Sequence, residues 1–242
     1  MIPIGDDNTC RRGSAIVNWI LIALNILVFV FLQKFGLDDY TTLALAAIPE
    51  EILSGRRLFT LITSQFTHAG FAHLIGNMMF LGIFGDNVEC RIGKLRYILL
   101  YLISGTIGML LQIFLAAFAK GAALQMPLVG ASAAISGVLA TYLVLFPGNR
   151  VVVLLFYFIP TVFSAWFVIG TWFFMQIIGG LSGLTAIQNG GTAYFAHIGG
   201  FLSAYIWGKS YKKKESKRIA EWRKGPTAGY SDGFHWWIVD DD

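Results

Sequence analysis

The sequence predicts an all-α polytopic membrane protein with six transmembrane helices and both termini cytoplasmic. Three observations lead there. The chain has 242 residues, 56% hydrophobic and 13% charged, where a soluble domain carries about 25% charged residues. The charges are segregated: between Tyr97 and Gly208 only Lys120 and Arg150 are ionised at neutral pH. Apolar runs long enough to cross a bilayer recur along the chain, separated by Gly, Pro and charged residues.

Residues 1–14 form a polar cytoplasmic segment, with Arg11 and Arg12 beside the first apolar run. That run, Ala15 to Gln33, is uncharged and spans a bilayer at ~1.5 Å per residue. Residues 34–69 mix Asp38, Asp39, Glu50, Glu51, Arg56 and Arg57 with apolar patches, the pattern of short amphipathic helices lying in the interface. The second span runs from Gly70 to Val88 and contains His73 and Asn77. The third runs from Leu95 to Ala119 with Gln112 inside, and residues 120–130 form a loop around Pro127. The fourth, Ala131 to Phe146, is ended by Pro147-Gly148-Asn149. An uncharged run from Val151 to Leu181 is too long for one straight span, and Pro160 divides it, so the fifth span is placed at Thr161 to Gly179. The sixth is Thr192 to Trp207. Residues 15–208 thus read as one membrane domain, and 209–242 as a basic cytoplasmic tail expected to be disordered.

The positive-inside rule sets the orientation. With the ends cytoplasmic, the inner segments hold Arg11, Arg12, Arg91, Lys94, Arg96, Arg150 and the tail cations, against Lys34, Arg56, Arg57 and Lys120 outside. The net charge of +4 is therefore a topology signal, and no nucleic-acid partner is expected. Cys10 and Cys90 have no metal spacing and read as free cytoplasmic thiols.

Depth arithmetic brings two reactive side chains together. Ser132 lies 14 residues from Phe146, or ~21 Å up a hydrocarbon core ~30 Å thick. His197 lies five residues into the sixth span, again roughly 8–9 Å below the outer surface. A serine hydroxyl becomes a nucleophile when a base takes its proton, and histidine is the usual base. No Asp or Glu occurs in spans four to six, so the arrangement is a dyad. His73 and Asn77, at i and i+4 on one helix face, can donate to a developing oxyanion together with the Ser132 backbone N–H. The small residues around Ser132 and the Gly199-Gly200 pair after His197 let the two helices approach closely.

With these residues on the page, the sequence resembles the rhomboid family of intramembrane serine proteases over about residues 15–208. The matching stretches are Thr63–Gly70 (TSQFTHAG), His73-Leu74-Ile75-Gly76-Asn77, Gly85-Asp86-Asn87-Val88-Glu89, Gly130-Ala131-Ser132 and Ala196-His197-Ile198-Gly199-Gly200. The resemblance implies Ser132 as nucleophile, His197 as base, and His73 and Asn77 in the oxyanion hole with Ser132. It implies a structural role for His68, and helix-end hydrogen bonding for Asp86 and Glu89. It also implies an outward-opening cavity, with Trp166, Phe167, Trp172 and Phe173 of the fifth span as gate candidates. Transmembrane-protein substrates cut near the outer boundary, a lipid-bilayer setting, no metal or other cofactor and a bacterial cytoplasmic membrane are the further expectations. Two positions depart from the family pattern. Ala133 replaces a common Gly, adding a methyl expected beside the oxyanion, and Ser136 stands where an aromatic ring often stacks on the histidine. The competing expectations are a non-catalytic rhomboid-like protein that binds transmembrane helices and, disfavoured by the uncharged span interiors, a small-solute transporter.

Overall fold

The computed structural model describes residues 2–7, 15–36, 38–119, 121–156, 158–183 and 192–224. Strand β1 (Ile2–Asp6) precedes helix α1 (Ile16–Leu27), which continues through a π-helical turn at Val28–Leu32. Three short helices follow: α2 (Asp39–Leu45), α3 (Pro49–Leu53) and α4 (Thr60–Thr63). The long helices α5 (Phe71–Ile92) and α6 (Lys94–Ala119) are joined by Gly93 alone. Its φ of +84° allows the chain to reverse within one residue. Then come α7 (Ala122–Gln125), α8 (Ser132–Leu145), strands β2 (Arg150–Leu155) and β3 (Ile159–Ser164), α9 (Ala165–Gly183) and α10 (Tyr194–Lys224).

Among the described residues, two helices, Lys94–Ala119 and Ala165–Ser182, are long and apolar enough to cross a membrane, and Ile16–Leu32 and Ser132–Leu145 are shorter apolar helices. Helix α8 sits at the centre, with most of its residues buried from Ala133 through Val144. It packs against α5, α6, α9 and α10. Apolar burial drives little association among lipid-exposed helices, so packing of small residues has to do it. A Cβ on Gly200 of α10 would lie 2.1 Å from the Ala133 carbonyl oxygen, and one on Gly108 of α6 would lie 2.2 Å from the Ala196 carbonyl oxygen. The three helices therefore meet backbone to backbone, and any larger side chain at these glycines forces them apart.

Polar junctions fix the ends. Glu89 on α5 accepts from the backbone N–H groups of Val17 (3.0 Å) and Asn18 (2.6 Å), satisfying orphan donors at the start of α1. Tyr97 donates to the Asn18 amide oxygen at 2.6 Å, and Asn18 donates to the Leu81 carbonyl at 3.1 Å. Near the other end of α5, Gln33 accepts from the His68 N–H (2.9 Å) and donates to the His68 carbonyl (2.8 Å). This two-way bond holds the segment that leads into the helix bearing His73.

Four expectations are corrected. The fold is not all-α: β1, β2 and β3 form an antiparallel sheet, with Asp6 opposite Val151 and Arg150 opposite Ser164. The β-branched run Val151-Val152-Val153 favours extended chain, and Pro160 is tolerated because β3 is an edge strand. The fifth helix accordingly starts at Ala165, after the strand, and not at Thr161. The tail does not become disordered at residue 209, since α10 runs unbroken to Lys224. Its Lys, Arg and Glu residues are good helix formers, and Arg91 pairs with Glu215 at 3.2 Å while Lys212 donates to the Val144 carbonyl at 3.1 Å. Cys90 is disulfide-bonded and not a free thiol. The spacing of two cysteines carries no information on which segments the fold brings together, and Cys10, like Arg11 and Arg12, lies outside the described residues.

Candidate active site

The chain enters the site through an extended segment tied down on both sides. Leu128 exchanges two backbone hydrogen bonds with Ala47 (2.9 and 3.0 Å), and the Gly130 N–H donates to the Ser64 carbonyl at 2.9 Å. Gly130 has a φ of +122°, and a Cβ there would sit 2.6 Å from the His73 ring. Only glycine permits both the conformation and the approach. Two residues later Ser132 opens α8, so its backbone N–H is among the unpaired donors of a helix N-terminus.

His197 lies in the first turn of α10, a turn held in place by the Phe195 N–H donating to Gln112 of α6 at 3.2 Å. Its Nε2 is 2.8 Å from Ser132 Oγ, and its Nδ1 is 2.8 Å from Gln176 Oε1 on α9. The amide orientation is fixed independently, because Gln176 Nε2 donates to the Trp172 carbonyl at 3.1 Å. With an amide oxygen facing it, Nδ1 carries the proton and Nε2 offers its lone pair to the serine hydroxyl.

A cavity of about 490 Å³ reaches this pair and is lined by His73, Asn77, Ser132, Trp172 and His197 among others. The Ala69 N–H approaches His73 Nδ1 at 3.5 Å, the arrangement that leaves Nε2–H as the ring's donor. Asn77 is buried, and its Nδ2 has no hydrogen-bond partner. A buried amide donor left unpaired is costly, and here it lines a cavity that a substrate oxygen can enter. All four residues singled out from the sequence therefore line one cavity, with Ser132 and His197 in hydrogen-bond contact.

Other expectations meet the geometry less directly. Ala133 does not line the cavity; it is buried and its methyl points toward Gly108 of α6, so the extra carbon serves helix packing. Ser136 donates to the Ser132 carbonyl at 2.6 Å and presents no ring. The ring against His197 comes from α9 instead: Trp172 lies 6.0 Å away, centroid to centroid, tilted by 33°. Of the other aromatic residues, Phe173 stacks on Phe201 at 4.0 Å, while Trp166 and Phe167 are exposed. His68 is buried with its ring edge-on to His73 at 5.1 Å, and Asp86 accepts from the Asn87 N–H at 2.7 Å. Gln176 was missed by sequence reasoning. A lone amide in an apolar span was the available signal, since such a group must find a partner.

Fold and site together define a helical membrane domain with a serine–histidine pair in a cavity. The chain belongs to the rhomboid family: the Rhomboid domain family model matches residues 55–214. It is 28% identical over 214 residues to Rhomboid protein 1, mitochondrial, of Saccharomyces cerevisiae, covering 82% of this chain and 55% of that protein. It is 28% identical over 198 residues to Rhomboid protease GluP of Bacillus subtilis, covering 81% of this chain and 35% of that protein. It is 30% identical over 177 residues to RHOMBOID-like protein 6, mitochondrial, of Arabidopsis thaliana, covering 73% of this chain and 48% of that protein. The chain thus spans about half or less of the length of these relatives. The family is membrane-embedded, and its members are generally intramembrane serine proteases, although some rhomboid-like proteins are inactive.

Proposed function

We propose that the protein is an intramembrane serine endopeptidase that cuts single-span membrane proteins near the outer membrane boundary. The observation that carries this reading is the 2.8 Å contact between Ser132 Oγ and His197 Nε2 inside a cavity that also holds the unpartnered Asn77 amide. His197 removes the hydroxyl proton as Ser132 Oγ attacks the peptide carbonyl carbon. The resulting oxyanion is held by Asn77 Nδ2–H, His73 Nε2–H and the Ser132 N–H, donors worth about 2.7–4 kcal/mol each in such sites. Collapse expels the amine, which takes the proton from His197 and leaves an acyl-enzyme. Water, deprotonated by the same imidazole, then releases the acid and restores the hydroxyl. Gln176 is a positioning residue: it holds the tautomer and receives a strengthened hydrogen bond when His197 becomes imidazolium.

Preferred substrates carry helix-weakening residues at the cut, because a peptide bond in a continuous helix is shielded from attack. The six-span arrangement with cytoplasmic ends belongs to this proposal and rests on the charge bias; the bonded state of Cys90 removes the support that free thiols gave it. A bacterial cytoplasmic membrane gains no support from the relatives, of which two are named as mitochondrial.

The test is labelling of detergent-purified protein by a fluorophosphonate, which reacts with activated serines. Labelling is expected in the parent and absent in Ser132→Ala and His197→Ala. A folded parent that does not label refutes the reading and favours a helix-binding, non-catalytic role; some rhomboid-like proteins are inactive.

A further inference from the structure

Opposite the face of α8 that carries Ser132, a groove of about 680 Å³ runs between α6 and α10. Its two ends differ in chemistry. On α6 the lining passes from Arg96 through Leu99 and Ile103 to Ile107, three exposed apolar side chains below one cation. That is a distance of ~16 Å for 11 residues. On α10 it passes from Arg218 and Lys214 through Trp207 to the small residues Ala204 and Ser203. The helices are antiparallel here, since Arg96 lies 5.8 Å over the Tyr211 ring while Gly108 abuts Ala196. All three cations therefore gather at one mouth. Among the described residues, the one acid lining it is Glu215, which is already engaged by Arg91 at 3.2 Å. Lys214 and Arg218 stand at i and i+4, where like charges repel.

We propose that this groove binds one anionic glycerophospholipid, its phosphate at Arg96, Lys214 and Arg218 and an acyl chain along Leu99, Ile103 and Ile107. The charge pattern selects the occupant. A phosphate accepts bidentate hydrogen bonds from arginine and relieves the repulsion at the mouth. The floor gives the lipid a structural consequence. Ser104 and Ala204 line the groove and pack on Gly137 of α8, where a Cβ would lie 2.1 Å from Ser104 Oγ and 3.3 Å from Ala204 Cβ. A bound chain closes the back of the three-helix contact that sets Ser132 against His197. The proposal needs only the membrane setting and stands whether or not the serine is active.

The experiment is native mass spectrometry of the delipidated, detergent-solubilised protein titrated with phosphatidylglycerol, phosphatidylcholine or inorganic phosphate, with thermal unfolding measured alongside. One phosphatidylglycerol is expected to bind at least about tenfold more tightly than phosphatidylcholine and to raise the melting temperature, with inorganic phosphate giving no stable adduct. The variant Arg96→Gln/Lys214→Gln/Arg218→Gln is expected to lose the preference, while Lys213→Gln/Lys217→Gln, on the same helix but outside the groove, keeps it. Ser203→Phe, which fills the apolar part, is expected to weaken both lipids. Equal affinity for the two lipids, a preference that survives the triple substitution, an equal loss in the control pair, or a protein dimer in place of the lipid adduct would each overturn the proposal.

Discussion

Replacing Gln176 with Leu removes the acceptor for His197 Nδ1 and keeps the side chain's approximate size. The hydrogen bond is 2.8 Å long and buried. In the resting state it joins two neutral groups, a contact worth about 0.5–1.5 kcal/mol net; when His197 becomes imidazolium the donor is charged and the value rises to about 1.5–3 kcal/mol. Only the difference, about 1–2 kcal/mol, slows the chemical step. At 1.36 kcal/mol per tenfold, Gln176→Leu should react about 5- to 30-fold more slowly. The assay is the second-order rate of fluorophosphonate labelling across pH, which requires no known substrate. Gln176→Leu should move the acid limb of the profile to lower pH, because the imidazolium loses a stabilising partner. Gln176→Glu should move it to higher pH, because a carboxylate stabilises the imidazolium. If Gln176→Leu labels at the parent rate, or if both variants slow equally with the profile unmoved, the positioning role is refuted and Gln176 serves packing only.

Three further outcomes are expected. Asn77→Ala should cut the labelling or cleavage rate by about a hundredfold or more while leaving the melting temperature unchanged, because Asn77 Nδ2 has no partner to lose in the resting protein; both are read on one preparation. Gly200→Val should destabilise the fold and abolish labelling, since its side chain meets the Ala133 carbonyl, and thermal unfolding together with labelling checks it. Asp6 has its carboxyl raised from 3.8 to about 6, chiefly by burial, although Tyr142 and Asn87 donate to it. A raised folded-state value means the folded form holds the proton more tightly. The stabilisation is therefore present below about pH 4 and lost as pH rises through about 6, and melting curves of Asp6→Asn should lack that decline.

The two long apolar helices, α6 and α9, were legible because hydrophobic runs and charge segregation report directly on the solvent each residue prefers. The third span matches α6 to within one residue, Leu95 against Lys94. Ser132, His197, His73 and Asn77 were legible because each is a polar group in an apolar segment, where a reason for its presence is required. Gln176 met the same criterion and was passed over because no motif contains it. The ring of Trp172 against His197 was not legible, since α9 and α10 meet through tertiary packing alone. Pairing of β1 with β2 joins Ile2 to Leu154, and nothing local in a polar N-terminal segment announces a partner that far away. The helical run to Lys224 was hidden by its charge: propensity favoured helix, and the contacts of Glu215 and Lys212 with the bundle tipped the balance.

The central claim, that this serine–histidine pair cuts a transmembrane helix, is tested most directly by reconstituting the protein in liposomes with single-span reporter proteins. Reporters carry a helix-weakening Gly or Pro pair at stepped depths, and products are mapped by mass spectrometry. The account predicts cleavage within about two helical turns of the outer boundary, dependent on the weakened segment and abolished by Ser132→Ala and His197→Ala. Cleavage that persists in Ser132→Ala, or intact reporters beside a parent that binds them, would contradict it.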